Sequence, residues 1–273
     1  MTPIDHSRLL SQLVPAARRA GAAILRHRHT ARAELKADNS PVTEADREAE
    51  RILLDALALA APDIRVISEE SANLPVADPG HRFFLVDPLD GTREFINGET
   101  DFTVNIGLIE DGRPAFGLVY APARAELYVT LGAGAAARAD LPAEASTGTD
   151  ASPAYEPIKC RAPSRDGLVA AVSRSHMDAQ TRAFLASHPI AETITAGSSL
   201  KFCLLAAGKA DVYPRYGRTM EWDTAAGHAV LAAAGGVVLG LDGKPLAYGK
   251  MPDGLANSGF IAWGRDPGIS LRA

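Results

Sequence analysis

From residue 83 onward the apolar residues abandon helical spacing and fall into runs divided by turn-forming residues, which most limits the folds open to this chain. Residues 83–86 read as a buried strand running into Asp87-Pro88. Runs at 102–109, 115–120 and 126–131 follow as further strands, with turns at Asp111-Gly112 and Pro122-Ala123. The spacing predicts an antiparallel meander, a sheet that must bury one or both faces against other layers.

Helices are expected on either side of it. Over 4–28, Leu9, Leu10, Leu13, Val14, Ala17, Ala20, Ile24 and Leu25 repeat at helical intervals. A second helix is predicted from Thr43, capped by Thr43 and Asp46, and ended by Pro62-Asp63. A short strand is expected at 64–67. Residues 132–157, rich in Ala, Gly, Ser, Thr and Pro, read as an irregular connection at the midpoint of the chain. After it, strands at 168–173, 192–196, 211–213 and 237–239 alternate with helices at 177–187, 199–207 and 224–234. The pattern predicts an α/β (α+β layered) fold around one extended core.

Composition excludes several classes. With 28 basic and 33 acidic residues, the formal charge of −5 gives no basic excess for a nucleic-acid polymer or a membrane surface. No run of about 18 apolar residues occurs, so no integral membrane segment is expected. The N-terminus lacks a cationic start followed by an apolar block, so no signal peptide is expected. Two cysteines, Cys160 and Cys203, are too few to staple 273 residues, which points to a reducing cytoplasm. Neither has Cys or His at metal spacing.

Four acidic clusters sit at element boundaries, where sites are built. In Val86-Asp87-Pro88-Leu89-Asp90-Gly91-Thr92, a buried strand delivers two carboxylates as it ends, and Pro88 forces a turn. Gly91 permits close backbone approach, and the Gly91 and Thr92 amides can open a helix toward an anion. Oxygen ligands of this kind select Mg²⁺ or Mn²⁺ over zinc. Equally, Asp-x-x-Asp alone is an Asx turn with a cap. Ser68-Glu69-Glu70-Ser71 reads by itself as a solvated loop, Glu221-Trp222-Asp223 as a helix cap, and Asp38 to Asp46 as a turn followed by a cap.

Taken in order, Val42-Thr43-x-Ala45-Asp46, Ser68-Glu69-Glu70-Ser71, Asp87-Pro88-Leu89-Asp90-Gly91-Thr92 and Trp222-Asp223-x-Ala225-Ala226-Gly227 resemble the inositol monophosphatase superfamily. The match runs from about residue 5 to residue 262. Asp90-Gly91-Thr92-Arg93-Glu94-Phe95, Gly197-Ser198-Ser199-Leu200-Lys201-Phe202-Cys203 and the stretch from Asp211 to His228 resemble its CysQ-type 3′(2′),5′-bisphosphate nucleotidase branch. Ser173-Arg174-Ser175-His176 is a weaker match. The connection 132–157 and the insertion Asn97-Gly98-Glu99-Thr100 depart from the pattern.

The resemblance implies an αβαβα sandwich of the inositol monophosphatase and fructose-1,6-bisphosphatase type. It implies one phosphatase domain of two halves: 1–150 with the metal site and an antiparallel sheet, and 158–273 setting substrate specificity. Glu69, Asp87, the Leu89 carbonyl, Asp90 and Asp223 would hold two or three Mg²⁺ ions, Mn²⁺ being the alternative. Thr92, bonded to Asp46 and assisted by Glu69, would orient or deprotonate a water for in-line attack on phosphorus, without a phosphoenzyme. Gly91 and Thr92 would hold the phosphate. Ser198, Ser199, Lys201, Arg215 and Asp223 would contact the rest of the substrate.

The implied reaction is conversion of adenosine 3′,5′-bisphosphate to AMP and phosphate, with lithium sensitivity and a role in sulfur metabolism. The implied partner is a small phosphorylated nucleotide, and the chain would be a cytoplasmic monomer or homodimer, free or peripheral at the inner membrane. Rivals are an inositol monophosphatase or sugar bisphosphatase of the same superfamily, and a non-enzymatic nucleotide- or metal-binding protein. Lys201 is also readable as a solvated helix residue, Arg215 as a partner for Glu221, His176 as a helix cap, and Trp222 as a packing residue.

Overall fold

Asp5 accepts the Arg8 amide at 2.9 Å and so starts helix α1 (His6–His27), whose apolar stripe from Leu9 to Ile24 is buried. The computed structural model describes residues 3–28, 34–35, 41–72, 78–144, 152–174 and 177–265. A short antiparallel pair, β1 (Glu34–Leu35) and β2 (Pro41–Val42), leads into α2 (Glu44–Ala60). Thr43 caps α2, and its amide and hydroxyl both donate to Asp46 Oδ2, at 2.7 and 2.6 Å.

A seven-stranded sheet follows in spatial order β3 (Arg65–Ser68), β4 (Arg82–Asp90), β5 (Thr103–Glu110), β6 (Arg113–Ala121), β7 (Glu126–Gly132), β8 (Ala135–Asp140) and β9 (Glu156–Ile158). Between β4 and β5 lies the single-turn helix α3 (Thr92–Ile96). The meander from β4 to β7 is as expected, but the sheet is not wholly antiparallel: β3 pairs with β4 in parallel. The expected irregular connection 132–157 contains β8 and leads into β9. Its Ala136, Ala137 and Ala139 are buried against larger neighbours, so packing overrides the low strand preference of alanine.

The strand into Asp87-Pro88 does not end there. The ladder breaks after Asp87↔Asn105 and resumes at Asp90↔Thr103, so β4 advances three residues while β5 advances two. This is a bulge, a position where a proline without an N–H fits. In a regular strand, residues three apart face opposite sides. The extra residue resets that alternation, and Asp87 and Asp90 line the same cleft.

The second sheet runs β11–β10–β12–β16–β14. Its elements in chain order are β10 (Leu168–Ser173), α4 (Ala179–Ser187), β11 (Ile190–Ala196), α5 (Leu200–Ala206) and β12 (Val212–Arg215). Then come β13 (Thr219–Met220), α6 (Glu221–Ala233), β14 (Val237–Gly240), β15 (Ala256–Asn257) and β16 (Phe260–Trp263), of which β13 and β15 form a separate antiparallel pair. β15 and β16 were not expected, and β16 lies between β12 and β14. α6 begins three residues earlier than the spacing suggested, which puts Asp223 in its first turn.

The layers are read from alternation along β6. Leu118 and Tyr120 join a core with α1 and α2, whereas Val119 and Ala121 join a second core with α5, α6 and the inner face of the second sheet. Phe184 of α4 packs with Val172, Val212 and Trp263 on that sheet's outer face. The order is helices, sheet, helices, sheet, helix, the expected αβαβα sandwich. α6 lies close on the first sheet because β5 and β6 present Gly107 and Gly117. A Cβ at Gly107 would stand 2.7 Å from Ala225 Cβ and 2.9 Å from the Ala226 amide nitrogen. Among the described residues no helix is long and apolar enough to cross a membrane.

Candidate active site

Three separate elements bring carboxylates to one point. Glu69 follows β3, its amide donating to the Val86 carbonyl at 3.0 Å and so extending the pairing with β4. Asp87 sits at the β4 bulge and is 1% exposed. Asp223 lies in the first turn of α6, where Oδ2 accepts the Met220 amide at 2.7 Å. One oxygen from each of Glu69, Asp87 and Asp223 lies within 4.8 Å of the others. Both sequence alternatives for the β4 segment hold together: Asp87 Oδ1 accepts the Leu89 amide at 3.0 Å, an Asx turn, while the same carboxylate faces its acidic neighbours.

Asp90 borders this trio and is held differently. Its Oδ2 accepts from Ser198 Oγ at 2.6 Å, the Ser199 amide at 2.8 Å and Asn105 Nδ2 at 3.4 Å. Ser198 and Ser199 were expected to contact the substrate, and the anion on them is Asp90. Ser199 Oγ donates to the Asp223 carbonyl at 2.8 Å. Ser198 Oγ also meets Thr103 Oγ1, which in turn donates to Asn105 Oδ1 at 3.0 Å.

The electrostatics follow from crowding. Burial, then the charges of Glu69, Asp90 and Asp223, push the Asp87 carboxyl well above its ordinary range. Burial, then Asp90 and Glu69, do the same to Asp223. Burial raises Asp90 as well, opposed by the Ser198 hydrogen bond and by Lys201. Glu69, Asp87 and Asp223 offer an oxygen-only donor set that suits a hard divalent cation, which would offset their mutual repulsion.

Also lining the cleft, Thr92 has its Oγ1 3.2 Å from Asp46 Oδ1 and 3.1 Å from the Leu89 carbonyl. Asp46 is buried by α2, which raises its carboxyl, while the Thr43 and Thr92 bonds oppose that rise. Gly91 adopts φ +93, a left-handed conformation that suits glycine, and a Cβ there would stand 3.0 Å from the Asp101 carbonyl oxygen.

The cationic residues are placed as follows. Lys201 is buried, not a solvated helix residue; Nζ donates to the carbonyls of Ser198 at 2.6 Å and Ala196 at 3.3 Å and lies over the Tyr213 ring. Burial lowers its pKa to about 8, with Asp90 opposing the fall. Arg215 does not pair with Glu221, whose partners are Lys250 Nζ at 2.6 Å and the Gly249 and Lys250 amides. The guanidinium of Arg215 instead lies near Asp178, the cap of α4, and reaches the Arg218 carbonyl at 3.4 Å. Lys201, Arg215 and Arg218 line the same cleft of about 290 Å³ as the acidic residues. Trp222 is 5% exposed and packs with Phe83 and Tyr248, as the packing alternative held. Asp38 and His176 lie outside the described residues. The sequence reading missed Thr103 and Asn105; their alternation on β5, opposite Asp90 and Asp87, is the signal that finds them.

The sequence model of the inositol monophosphatase family matches residues 5–267. The chain belongs to the inositol monophosphatase family. Within that family it is similar to 3′(2′),5′-bisphosphate nucleotidase CysQ of Escherichia coli K12, 43% identical over 92% of this chain and 98% of the relative. CysQ of Buchnera aphidicola is 37% identical over 93% of each chain. The solved structure of CysQ from Bacteroides thetaiotaomicron superposes with a TM-score of 0.80 at 36% identity, covering 96% of this chain and 98% of that one. An IMPase of Thermotoga maritima superposes at 0.69 with 26% identity, covering 92% and 90%. This member of the family is a metal-dependent phosphatase with a CysQ-type sequence.

Proposed function

We propose that this chain is a Mg²⁺-dependent 3′(2′),5′-bisphosphate nucleotidase that converts adenosine 3′,5′-bisphosphate to AMP and phosphate. The observation that carries the reading is the convergence of Glu69, Asp87 and Asp223 within 4.8 Å, in the cleft that Thr92, bonded to Asp46, also lines. Substrate choice follows the CysQ relatives, which are 3′(2′),5′-bisphosphate nucleotidases.

Glu69, Asp87, Asp90, Asp223 and the Leu89 carbonyl would hold two or three Mg²⁺ ions. Bound there, the cations neutralise charge on the phosphate and the leaving alkoxide and acidify water. Thr92 donates its hydroxyl proton to Asp46, which turns its oxygen lone pairs outward to accept from a water and leaves the Leu89 carbonyl free. Asp46, made more basic by burial, takes the proton that Thr92 relays. Glu69 assists in orienting that water. The first-turn amides of α3, at Gly91 and Thr92, have no acceptor within their own helix and face the phosphate.

Residues 158–273 supply specificity. Arg215 keeps hydrogen-bonding capacity for a second phosphate: Nε is buried without a partner among the described residues, and the one bond of Nη2 is long. Lys201 adds positive charge beneath it. Ser198 and Ser199 act on substrate through Asp90, and Asp223 closes the same wall. A phosphate-release panel decides the matter. Adenosine 3′,5′-bisphosphate should be hydrolysed with Mg²⁺ and not after chelation, and faster than inositol 1-phosphate or fructose 1,6-bisphosphate. Faster turnover of either competitor would assign the chain to another branch, and no Mg²⁺-dependent release from any of them would make it a binding protein.

A further inference from the structure

The turn from α3 into β5 carries an aspartate that the reaction scheme leaves unused. Asp101 is 1% exposed, a setting that carboxylates occupy only when paired. Its Oδ1 accepts from Arg124 Nη2 at 2.6 Å, and its Oδ2 accepts from Arg174 Nη2 and from the Gly197 amide, each at 3.1 Å. Arg174 Nε is also held by Glu99, at 3.0 Å. Four segments therefore meet on one carboxylate: its own turn, the 3₁₀ turn Pro122–Arg124 after β6, the end of β10 and the end of β11.

The backbone of Asp101 is wedged between two glycines of the site. A Cβ on Gly197 would stand 2.5 Å from the Asp101 carbonyl oxygen and 2.8 Å from its Cβ; on Gly91 it would stand 3.0 Å from that oxygen. Gly91 follows Asp90, and Gly197 precedes Ser198. Ser198 is a non-glycine residue at φ +53, a conformation that persists only where neighbours enforce it. From there its hydroxyl and the next amide grip Asp90.

We propose that Asp101 is a positioning residue: by clamping the Gly197 amide beside Gly91, it enforces the turn at Ser198 that aims the Asp90 carboxylate at the cation. The inference rests on the reading of Asp90 as a cation ligand. Partners that orient a ligand are typically worth about 10- to 100-fold in metal affinity. An Asp101→Asn substitution keeps the volume but loses the charge facing two arginines and the capacity to accept from all of its donors.

The test is a Mg²⁺ titration of the whole protein followed by thermal shift and calorimetry, beside steady-state kinetics. Asp101→Asn should weaken Mg²⁺ binding by about tenfold or more. Arg124→Ala, which removes a half-exposed partner and leaves the Gly197 bond, should weaken it by less than about fivefold. In a Ser198→Ala background the Asp101→Asn effect should shrink, since both act through Asp90. Asp101→Ser replaces the Asn variant if the latter does not fold. Wild-type Mg²⁺ affinity in Asp101→Asn, or full additivity with Ser198→Ala, overturns the inference alone. A wild-type chain that takes no Mg²⁺ overturns the proposed function and this inference with it.

Discussion

Thr92 has one hydroxyl proton and two acceptors in reach, Asp46 and the Leu89 carbonyl. Replacing it with valine keeps the shape and removes both bonds. Thr92→Val should lower kcat by about 10²- to 10⁴-fold, the usual worth of a positioned proton acceptor. Mg²⁺ binding should persist, because the clustered carboxylates are untouched. Steady-state kinetics with a parallel Mg²⁺ titration measures both, and an unchanged kcat would remove the pair from the reaction. At this scale the sequence was informative about residue types and much less so about their partners. Asp46, Glu69, Asp87, Asp90 and Asp223 were named from motifs; the last four line one cleft, and Asp46 reaches it through Thr92. The grip of Ser198 on Asp90, the partnership of Glu221 with Lys250 and the burial of Lys201 all join distant segments, and no local spacing encodes them.

Among elements, α6 carries Asp223 and approaches the first sheet most closely over Gly107 and Gly117. Gly107→Ala would place a methyl 2.7 Å from Ala225 Cβ, an overlap that must move the helix or the strand. Overpacking of this kind costs about 1–3 kcal/mol. Gly107→Ala should therefore lower the denaturation midpoint and reduce turnover of the chain that remains folded, through the displaced Asp223. Denaturant melts and activity on the folded fraction separate the two effects; a destabilised variant with full turnover would show that α6 tolerates the shift. Apolar runs divided by turn residues made the strands from 83 to 131 legible, and helical spacing did the same for α1 and α2. β8 escaped notice because alanine has little strand preference, and β15 because it has only two residues. The bulge at Asp87-Pro88 was misread as a strand end, since proline punctuates both.

For the whole molecule, stability should depend on pH through a buried hydrogen-bond chain. His228 Nδ1 lies 3.0 Å from the Tyr248 hydroxyl, which donates to Thr224 Oγ1 at 3.2 Å. Burial pushes the His228 pKa from its ordinary 6.5 down to about 3. In the unfolded chain this imidazole takes up a proton as pH falls through 6.5, whereas the folded one stays neutral until about 3. Through this group acid favours unfolding across that window, by up to about 1.4 kcal/mol per pH unit, opposed by the raised Asp87 and Asp223 carboxyls when no cation is bound. Urea melts between pH 7 and 5 should show the slope, and His228→Gln should flatten it. An equal slope in the variant would assign the acid sensitivity to other groups.

The acids of the cleft are far apart along the chain, and Asp223 is the last of them to be synthesised. Until α6 reaches Gly107 and Gly117, a growing polypeptide holds only a repelling part of the set. Completion of the fold and the onset of hydrolysis thus coincide, and an unfinished chain on the ribosome carries no working phosphatase.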